Sequence, residues 1–338
     1  MKAVAYYQSL PAEHPDALQD VELPAPTPGP RDLLVAVQAI SVNPVDTKIR
    51  RNVAPEQGTA KVLGWDAAGV VQAVGSEVSL FRPGDRVFYA GAIDRAGANS
   101  ELHLVDERIV GRMPASLSFA EAAALPLTAI TAWELLFERL QVGEGQASQG
   151  QSLLIVGAAG GVGSILVQLA RQLTELQVIA TASRPQTQAW VRELGAHEVL
   201  DHSQPLAAEL ARIGLGQVSH VASLTQTDQH FAQLVEALAP QGRLALIDDP
   251  AQPLDVMQLK RKSLSLHWEL MFTRSLFHTE DMIEQHRLLQ RVSALVDGGV
   301  LKTTLGDHFG RIDAANLRRA HALLESGQAR GKIVLEGF

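Results

Sequence analysis

An apolar run that ends in a cluster of glycines constrains this chain more than any other feature. Residues 153–156 are Leu-Leu-Ile-Val, a glycine-rich segment follows at once, and residues 165–173 repeat apolar side chains at helical spacing. This order predicts a buried strand, a tight turn and a helix. Glycines let a backbone approach a pyrophosphate, and a helix N-terminus offers it free N–H groups. We therefore predict a dinucleotide site at Ala158, Ala159, Gly160, Gly161, Val162 and Gly163; the alternative is the glycine-rich turn of any α/β protein.

The strand predicted next, at residues 177–182, indicates which dinucleotide is bound. A carboxylate about 20 residues past the glycines would bind a ribose 2′-hydroxyl and repel a 2′-phosphate. Ser183 and Arg184 stand there instead, and the first acidic residue is Glu193. Because a hydroxyl and a guanidinium fork suit a phosphate, the sequence predicts NADPH as the cofactor. The alternative is a solvated arginine after a strand.

Composition and charge narrow the class of protein. The chain has 338 residues, of which 46% are apolar and 20% charged, as in globular proteins with more than one domain. Its formal net charge of −8 and the lack of a long basic run lead us to expect neither nucleic acid nor a membrane as partner. We expect no stretch long enough to span a bilayer, and cysteine is absent, which excludes disulfides and thiolate metal sites. We expect a cytoplasmic protein.

The pattern of strands and helices changes along the chain. Residues 1–124 carry short strand-like runs separated by Pro- and Gly-rich turns, which is typical of a β-rich domain. Residues 128–140 are predicted to form a helix, and over residues 125–273 strands alternate with helices, the pattern of a doubly wound parallel sheet. The six strands predicted here lie at residues 153–156, 177–182, 198–200, 220–222, 244–247 and 263–267. Residues 274–338 resemble the first region again, with a helix at 280–296, a strand near 301–305, a helix at 314–324 and a strand at 332–335. The sequence therefore predicts an α/β chain whose dinucleotide-binding domain lies between two parts of a β-rich domain.

Five ordered segments resemble one known family. They are residues 41–50 (SVNPVDTKIR), 64–71 (GWDAAGVV), 83–87 (PGDRV), 122–129 (AAALPLTA) and the glycine turn. Together they resemble the zinc-free quinone oxidoreductase branch of the medium-chain dehydrogenase/reductase superfamily. Residues 268–274 and 331–338 resemble a subgroup often labelled zinc-type alcohol dehydrogenase-like. The resemblance implies a GroES-like catalytic domain, a Rossmann domain, a homodimer, and NADPH-dependent reduction of quinones or α,β-unsaturated carbonyls.

The residues themselves argue against a metal site. Zinc-dependent relatives carry a cysteine where this chain has Asn43, and a His-Glu pair where it has Trp65 and Asp66. An amide and an indole are not zinc ligands, and the eleven histidines include no pair at helical i, i+3 or i+4 spacing. Because alcohol oxidation without a Lewis acid loses its main driver, we predict no metal. Two alternatives stay open: a zinc-type alcohol dehydrogenase, and a non-catalytic NADPH-binding structural or sensor protein.

Hydride transfer without a metal needs protein groups that stabilise charge on the substrate oxygen. The resemblance places Asn43 and Lys48 in the segment that builds the family's substrate pocket. Asn43 would donate an amide N–H to the substrate oxygen or to the nicotinamide ribose. Lys48, where many quinone reductases have tyrosine, would donate a proton or supply positive charge, and Asp46 would orient it. The alternative is that Asn43 and Asp46 cap the helix that follows, with Asp46 as its N-cap.

Aromatic residues and a threonine complete the predicted site. Trp65 would form a flat wall against a quinone or enone, the alternative being core packing. Trp268, Phe272 and Phe277 are expected to form an aromatic cluster that lines the substrate pocket or a dimer interface. Thr128 resembles the family threonine near the nicotinamide, the alternative being a helix N-cap.

Overall fold

The structure is a computed structural model that describes all 338 residues, which form two compact units. The first unit contains Met1–Ile130 and Phe272–Phe338, and the second contains Thr131–Met271. The predicted fold class, a Rossmann domain inserted into a GroES-like β-rich domain, is confirmed. The boundaries expected at residues 124/125 and 273/274 lie a few residues from those of the units.

The strands and helices are numbered in chain order. The first part of the chain forms β1 (Lys2–Tyr6), β2 (Gln19–Glu22), β3 (Asp32–Val42), α1 (Pro44–Asn52), β4 (Lys61–Val62), β5 (Ala67–Val74), β6 (Arg86–Tyr89), β7 (Leu102–Asp106), β8 (Val110–Arg112), α2 (Phe119–Ala123) and α3 (Pro126–Trp133). The middle part forms β9 (Ser152–Val156), α4 (Gly161–Leu173), β10 (Gln177–Thr181), α5 (Pro185–Glu193), β11 (Glu198–Leu200), α6 (Leu206–Arg212), β12 (Val218–Ser223), α7 (Thr227–Ala237), β13 (Leu238–Leu246) and β14 (Ser265–Trp268). The last part forms α8 (Thr273–Leu276), α9 (Glu284–Asp297), β15 (Leu305–His308), α10 (Ala314–Glu325) and β16 (Lys332–Glu336).

The first unit is built on a seven-stranded sheet that joins both ends of the chain. Its order is β15-β16-β3-β5-β6-β8, with β7 also paired to β3, and a small sheet β2-β1-β4 stands apart. The first half of β3 alternates half-buried and buried residues, as a strand with one covered face does. The final strand β16 pairs antiparallel with β3, so that Ile333 lies opposite Val42. This register brings Lys332 next to Asn43, which follows β3 directly.

The second unit is a parallel sheet in the order β11-β10-β9-β12-β13-β14. All five residues of β9 are buried, as expected for a strand with helices on both faces. Leu154, Ile179, Val221 and Leu244 from four neighbouring strands share one apolar core. The strand order reverses between β9 and β12, and ligands of doubly wound sheets bind at such a switch point, beyond the carboxyl ends of the strands. The six strands expected here from the sequence are all present.

Two predicted elements differ from the structure. The helix expected over residues 128–140 is α3 followed by a π-helical stretch, Glu134–Arg139. The strand expected near residues 301–305 lies at Leu305–His308 instead. The residues just before it are held by long-range side-chain bonds, because the hydroxyls of Thr303 and Thr304 donate to the carbonyls of Glu121 and Ala124 at 2.8 and 2.9 Å.

The expectation that no stretch is long enough to span a membrane was wrong on length. One helical stretch, Phe119–Arg139, has the length and the apolar composition of a spanning helix. In the structure 89% of its most apolar window is buried, and a core helix of a globular protein passes the same test.

Candidate active site

The glycine-rich segment forms the predicted turn at the carboxyl end of β9. Gly157 has φ +79°, a left-handed conformation that glycine adopts without strain, and it turns the chain directly after the strand. The N–H of Gly160 donates to the Gly157 carbonyl at 3.1 Å and closes the turn. Ala158 is fully buried beneath the turn, whereas Ala159 is partly exposed. The turn therefore presents backbone rather than side chains at the switch point.

Helix α4 begins immediately after this turn with its N-terminus uncapped. Gly160 is the N-cap residue and has no side chain to bond the first amides. The N–H groups of the first helical turn, which starts at Gly161 and Val162, have no partner within a helix, and both residues are partly exposed. A Cβ on Gly163 would lie 2.5 Å from the Cα of Ala158, so only glycine lets the helix pack this close to the turn. The arrangement is suited to binding an anion.

The end of β10 lies beside the turn and carries the residues predicted to select the cofactor. The N–H of Gly157 donates to Oγ1 of Thr181, the last residue of β10, at 3.2 Å. Two residues further on, Ser183 and Arg184 are exposed. The carbonyl of Arg184 accepts from Oγ1 of Thr187 at 2.9 Å, which holds Arg184 at the N-cap position of α5. The strand end thus offers a hydroxyl and a guanidinium, and no carboxylate, next to the glycine turn.

In the first unit, Asn43 lies in a buried polar network. Its amide Nδ2 donates to the Trp65 carbonyl at 3.0 Å and to Oδ2 of Asp66 at 2.9 Å. Its Oδ1 accepts from the ammonium of Lys332, which fixes the orientation of the amide. Both N–H bonds of the amide are therefore used inside the protein. The prediction that Asn43 donates to a substrate oxygen or to the ribose is not supported, because no donor is left.

Lys332 is the centre of this network. Its Nζ donates to Oδ2 of Asp66 at 2.9 Å, to the Val42 carbonyl at 3.1 Å and to Asn43, which uses all three of its N–H bonds. Lys332 is 3% exposed and Asp66 is fully buried. The other oxygen of Asp66 accepts from the N–H of Leu127 at 2.8 Å, at the start of α3. One buried ion pair therefore joins β16, the end of β3 and the start of α3.

Asp46 caps α1 rather than orienting Lys48. Its Oδ2 accepts from the backbone N–H of Asn43 at 2.7 Å, so Asn43 is the N-cap and Asp46 the third helical residue. The alternative that Asn43 and Asp46 cap this helix was right, but it named Asp46 as the N-cap, and the N-cap is Asn43. Asp46 and Lys48 are two positions apart on a helix, so their side chains leave it in nearly opposite directions.

Burial sets the protonation of the carboxyl groups in this network. The pKa of Asp46 is raised to about 7, chiefly by burial and in smaller part by the nearby carboxylate of Asp66. Burial also raises the pKa of Asp66, while Lys332, Asn43 and the Leu127 N–H oppose that rise by stabilising the carboxylate. Oδ1 of Asp46 has no hydrogen-bond partner, which fits a carboxyl that holds a proton below neutral pH.

The predicted aromatic residues do not form one cluster. Trp65 is 1% exposed, its Nε1 donates to the Ala92 carbonyl at 3.1 Å, and Phe272 meets it edge-on with ring centroids 6.4 Å apart. Trp268 is 51% and Phe277 71% exposed. The packing interpretation of Trp65 is therefore the one the structure supports, and Phe272 belongs to the same core. Thr128 is not an N-cap, because α3 starts at Pro126 and its buried hydroxyl donates to the Leu125 carbonyl at 3.1 Å.

Three residues of these sites escaped the sequence analysis. Gly157 makes the tight turn, and its signal was its position directly after the apolar run. Asp66 was considered only as a replaced metal ligand. Lys332 opens the last apolar run of the chain, and a lysine there gives no sign of its partners, which lie up to 290 residues away.

A second buried group of charges lies in the parallel-sheet unit. Glu269 follows β14 and is 3% exposed, and Glu134 is 1% exposed on the π-helical stretch. Arg139 approaches Oε2 of Glu269 with its Nε at 2.8 Å. Burial raises the pKa of Glu269 to about 9, with Glu134 adding to the rise. Because the single charge of Arg139 cannot neutralise two buried carboxylates, the pair Glu134 and Glu269 holds one proton at neutral pH.

Comparison with known proteins agrees with this fold. Residues 29–131 match the alcohol dehydrogenase GroES-like domain, and residues 194–335 match a zinc-binding dehydrogenase family. A zinc-type alcohol dehydrogenase-like protein of Staphylococcus aureus is 38% identical over 336 residues, 99% of each chain.

Solved structures extend the comparison. A Rhizobium etli protein, provisionally described as a zinc-dependent alcohol dehydrogenase, is 60% identical with a TM-score of 0.96, covering 100% of this chain and 98% of that one. The Escherichia coli quinone oxidoreductase, solved with NADPH, is 26% identical with a TM-score of 0.85, over 99% and 100% of the two chains. The chain therefore belongs to the medium-chain dehydrogenase/reductase superfamily. Within it, this chain is an oxidoreductase close to the quinone oxidoreductases and the zinc-type alcohol dehydrogenase-like proteins.

The zinc in the names of these relatives can be tested against the residues present. At two of the three positions compared above with zinc-dependent proteins, the Asn43 amide is fully bonded and the Trp65 indole donates to a carbonyl. Asp66 already binds the Lys332 ammonium, whose positive charge would repel a metal ion. No three His, Cys, Asp or Glu side chains of the 338 residues come together as a ligand set. These residues do not fit a zinc ion.

Proposed function

We propose that this chain is an NADPH-dependent reductase that transfers hydride to quinones or α,β-unsaturated carbonyls without a metal ion. The observation that carries the proposal is the Lys332 network, which uses up Asn43 and Asp66 at the positions where zinc-dependent relatives have ligands. Without a Lewis acid to polarise an alcohol oxygen, the reaction that suits the fold best is hydride delivery to an already electron-poor acceptor.

The proposed cofactor site lies in the parallel-sheet unit. The uncapped N–H groups of Gly161 and Val162 bind the pyrophosphate, while Ser183 and Arg184 bind the 2′-phosphate. NADPH, when bound, supplies the hydride. The protein holds the dinucleotide in place, and no carboxylate directly after β10 repels its 2′-phosphate. Thr128 stays a predicted neighbour of the nicotinamide.

Lys48 is the residue we assign to the substrate oxygen. It is half-buried on α1, and its ammonium would stabilise charge that develops on a carbonyl oxygen as hydride arrives. Asn43 and Asp46 act as positioning residues, because their hydrogen bonds fix the start of the helix that carries Lys48.

A turnover screen tests the proposed function. Protein dialysed against a chelator is mixed with NADPH or NADH and with simple quinones, enals and enones, and cofactor oxidation is followed by absorbance. The proposal predicts turnover with NADPH that chelation leaves unchanged. Binding of NADPH without turnover would indicate the sensor or structural protein. Activity lost on chelation and restored by zinc would indicate the zinc-type alcohol dehydrogenase.

We also propose that two copies of the chain pair through β14. This strand lies at the edge of its sheet, so one of its sides is unpaired. Apart from His267 it has no ionisable side chain. Leu266 and Trp268 line a groove with Val256, and Val256 is 55% exposed. An uncharged edge with an apolar rim favours strand pairing, and antiparallel pairing about a two-fold axis makes the edge complementary to itself.

Sedimentation tests this pairing. The wild-type chain should sediment as a dimer at micromolar concentration, and Leu266→Lys with Trp268→Lys should sediment as a folded monomer. Phe277→Lys is the matched control, since Phe277 is exposed and lies outside β14. A monomeric wild type, or a dimer that survives the double substitution, would contradict the pairing.

A further inference from the structure

The loop after β12 forms the second side of the switch point. The N–H of Leu224 donates to the Val156 carbonyl at 3.1 Å, which ties the loop to the end of β9. A Cβ added to Gly157 would lie 2.9 Å from Cγ2 of Thr225, so the loop touches the glycine turn. Both Thr225 and Gln226 are exposed. The loop therefore faces the same region as the anion-binding turn, from the other side of the strand reversal.

Gln226 has an unusual backbone in this loop. Its φ of 51° and ψ of 38° are left-handed, a conformation that glycine adopts readily and a residue with a Cβ does not. The side chain of Gln226 does not cap α7, which starts at the next residue. Glycine would be less strained at this position. No hydrogen bond of the Gln226 side chain within the protein explains why a glutamine stands there instead.

The neighbouring residue keeps the backbone in this conformation. Thr227 is fully buried, its N–H donates to Oδ2 of Asp248 at 2.9 Å, and its hydroxyl bonds to Oδ1 of Asp248 at 2.5 Å and to the hydroxyl of Ser223 at 2.8 Å. Ser223 ends β12, and Asp248 lies two residues beyond β13. Gln226 is thus held next to the switch point by hydrogen bonds to two strand ends, an arrangement typical of strained residues at ligand sites.

We infer that Gln226 is a cofactor-binding residue whose side-chain amide hydrogen-bonds to the dinucleotide opposite the glycine turn. The inference rests on the proposed function, since it needs a dinucleotide at the switch point. An amide both donates and accepts, so it suits a ribose hydroxyl or a pyrophosphate oxygen. Because Gln226 follows β12 and not β10, its contact is one that NADH and NADPH share. It differs in this from Arg184, which distinguishes the two cofactors.

Titration calorimetry with NADPH and NADH tests this inference. Gln226→Gly should weaken both cofactors by the same factor, roughly three- to tenfold for one lost hydrogen bond. The midpoint of urea unfolding should stay equal or rise, because glycine relieves the backbone. Gln241→Gly is the matched control: Gln241 is exposed with φ 65° in the same unit, so its substitution should relieve the backbone and leave both affinities unchanged.

A second variant keeps the size of the side chain and leaves the backbone conformation at residue 226 unchanged. Gln226→Glu replaces the donor by a carboxylate that repels the anionic cofactor, so it should weaken both cofactors more than Gln226→Gly does. Affinities equal to wild type in both variants, or a loss confined to NADPH, would overturn the inference. A wild-type chain that binds neither cofactor would overturn the proposed function itself, which is a different result.

Discussion

Lys332 donates a 2.9 Å hydrogen bond to Asp66, and both side chains are buried in the first unit. The pair links the last strand of the chain to the segment that precedes β5, and Asn43 and Leu127 complete the bonding of Asp66. The same pair explains why these positions do not suit a metal. A buried ammonium already supplies the positive charge that the carboxylate needs.

Removing this ammonium should destabilise the protein strongly. Lys332→Met leaves a buried carboxylate without its counter-charge, and we expect a loss of about 3–5 kcal/mol in the free energy of unfolding, measured by urea denaturation. Asp66→Asn combined with Lys332→Met should recover part of the loss, since both charges are then removed and none is left buried without a partner. Lys2→Met, at an exposed position in the same unit, is the control. A loss below about 1 kcal/mol would show that the pair is not a structural element.

Arg184 should determine the preference for NADPH. Its charge-assisted hydrogen bonds to a 2′-phosphate contribute about 1.4 kcal/mol or more, a factor of ten in affinity. Arg184→Ala should therefore bind NADPH about tenfold more weakly and NADH as before. Arg192→Ala, at the other end of α5 and also exposed, should change neither dissociation constant. Equal affinities of the wild type for the two cofactors would end the assignment.

Lys48 should matter most for substrates whose carbonyl oxygen needs stabilisation as it gains negative charge during hydride transfer. Loss of one preorganised donor costs roughly 10²–10³ in turnover, so Lys48→Ala should lower kcat for enones by about that factor while the affinity for NADPH hardly moves. Quinones accept hydride more readily and should be affected less. Lys48→Arg keeps the charge and should retain much of the activity. Normal kcat of Lys48→Ala on the best enone would remove Lys48 from the mechanism.

The proton held by Glu269 should make stability depend on pH. Its pKa is raised from 4.5 to about 9 in the folded chain, so the folded state binds more protons than the unfolded state between these values. Stability therefore falls as pH rises through this window, by at most about 1.4 kcal/mol per pH unit for one proton. Asp46, whose pKa is raised from 3.8 to about 7, adds a second fall that ends near neutral pH.

Substitution separates these two contributions. Glu269→Gln should abolish the fall in stability between pH 7 and 9. Between about pH 4.5 and 7 it should remove the contribution of Glu269 and leave that of Asp46. Glu138→Gln changes a more exposed carboxyl that also lies near Arg139, and it should leave the whole profile unchanged. Urea unfolding at a series of pH values measures both. An unaltered slope above pH 7 in Glu269→Gln would show that Glu269 carries no extra proton.

The sequence predicted the fold well because the fold depends on local patterns. The run before Gly157 and the apolar strands that follow specify the parallel sheet and its binding edge without reference to distant residues. The same information could not reveal the role of Asn43, because that role depends on Lys332, a partner 289 residues away. Trp65 is a similar case. Whether an indole forms a pocket wall or part of the core depends on neighbours such as Phe272, which tertiary packing brings to it.

Gln226 shows a different limit of sequence analysis. A glutamine after a strand carries no signal, and only the backbone angles in the structure reveal that it takes a conformation usual for glycine. Strain of this kind arises from the bonds of Thr227 to two separate strand ends, and no short segment encodes them. Most of the elements and the inserted domain were predictable, whereas the strained and the long-range contacts were not.

Deuterium transfer from NADPH shows directly whether the enzyme delivers hydride to an enone. The chelated enzyme is incubated with an enone and with NADPH that carries deuterium at either face of C4, and the product is analysed by mass spectrometry and NMR. We predict one deuterium at the β-carbon of the saturated ketone from one of the two labelled faces, and none from the other. A product without deuterium from either face, or deuterium at the carbonyl carbon of an alcohol, would contradict it.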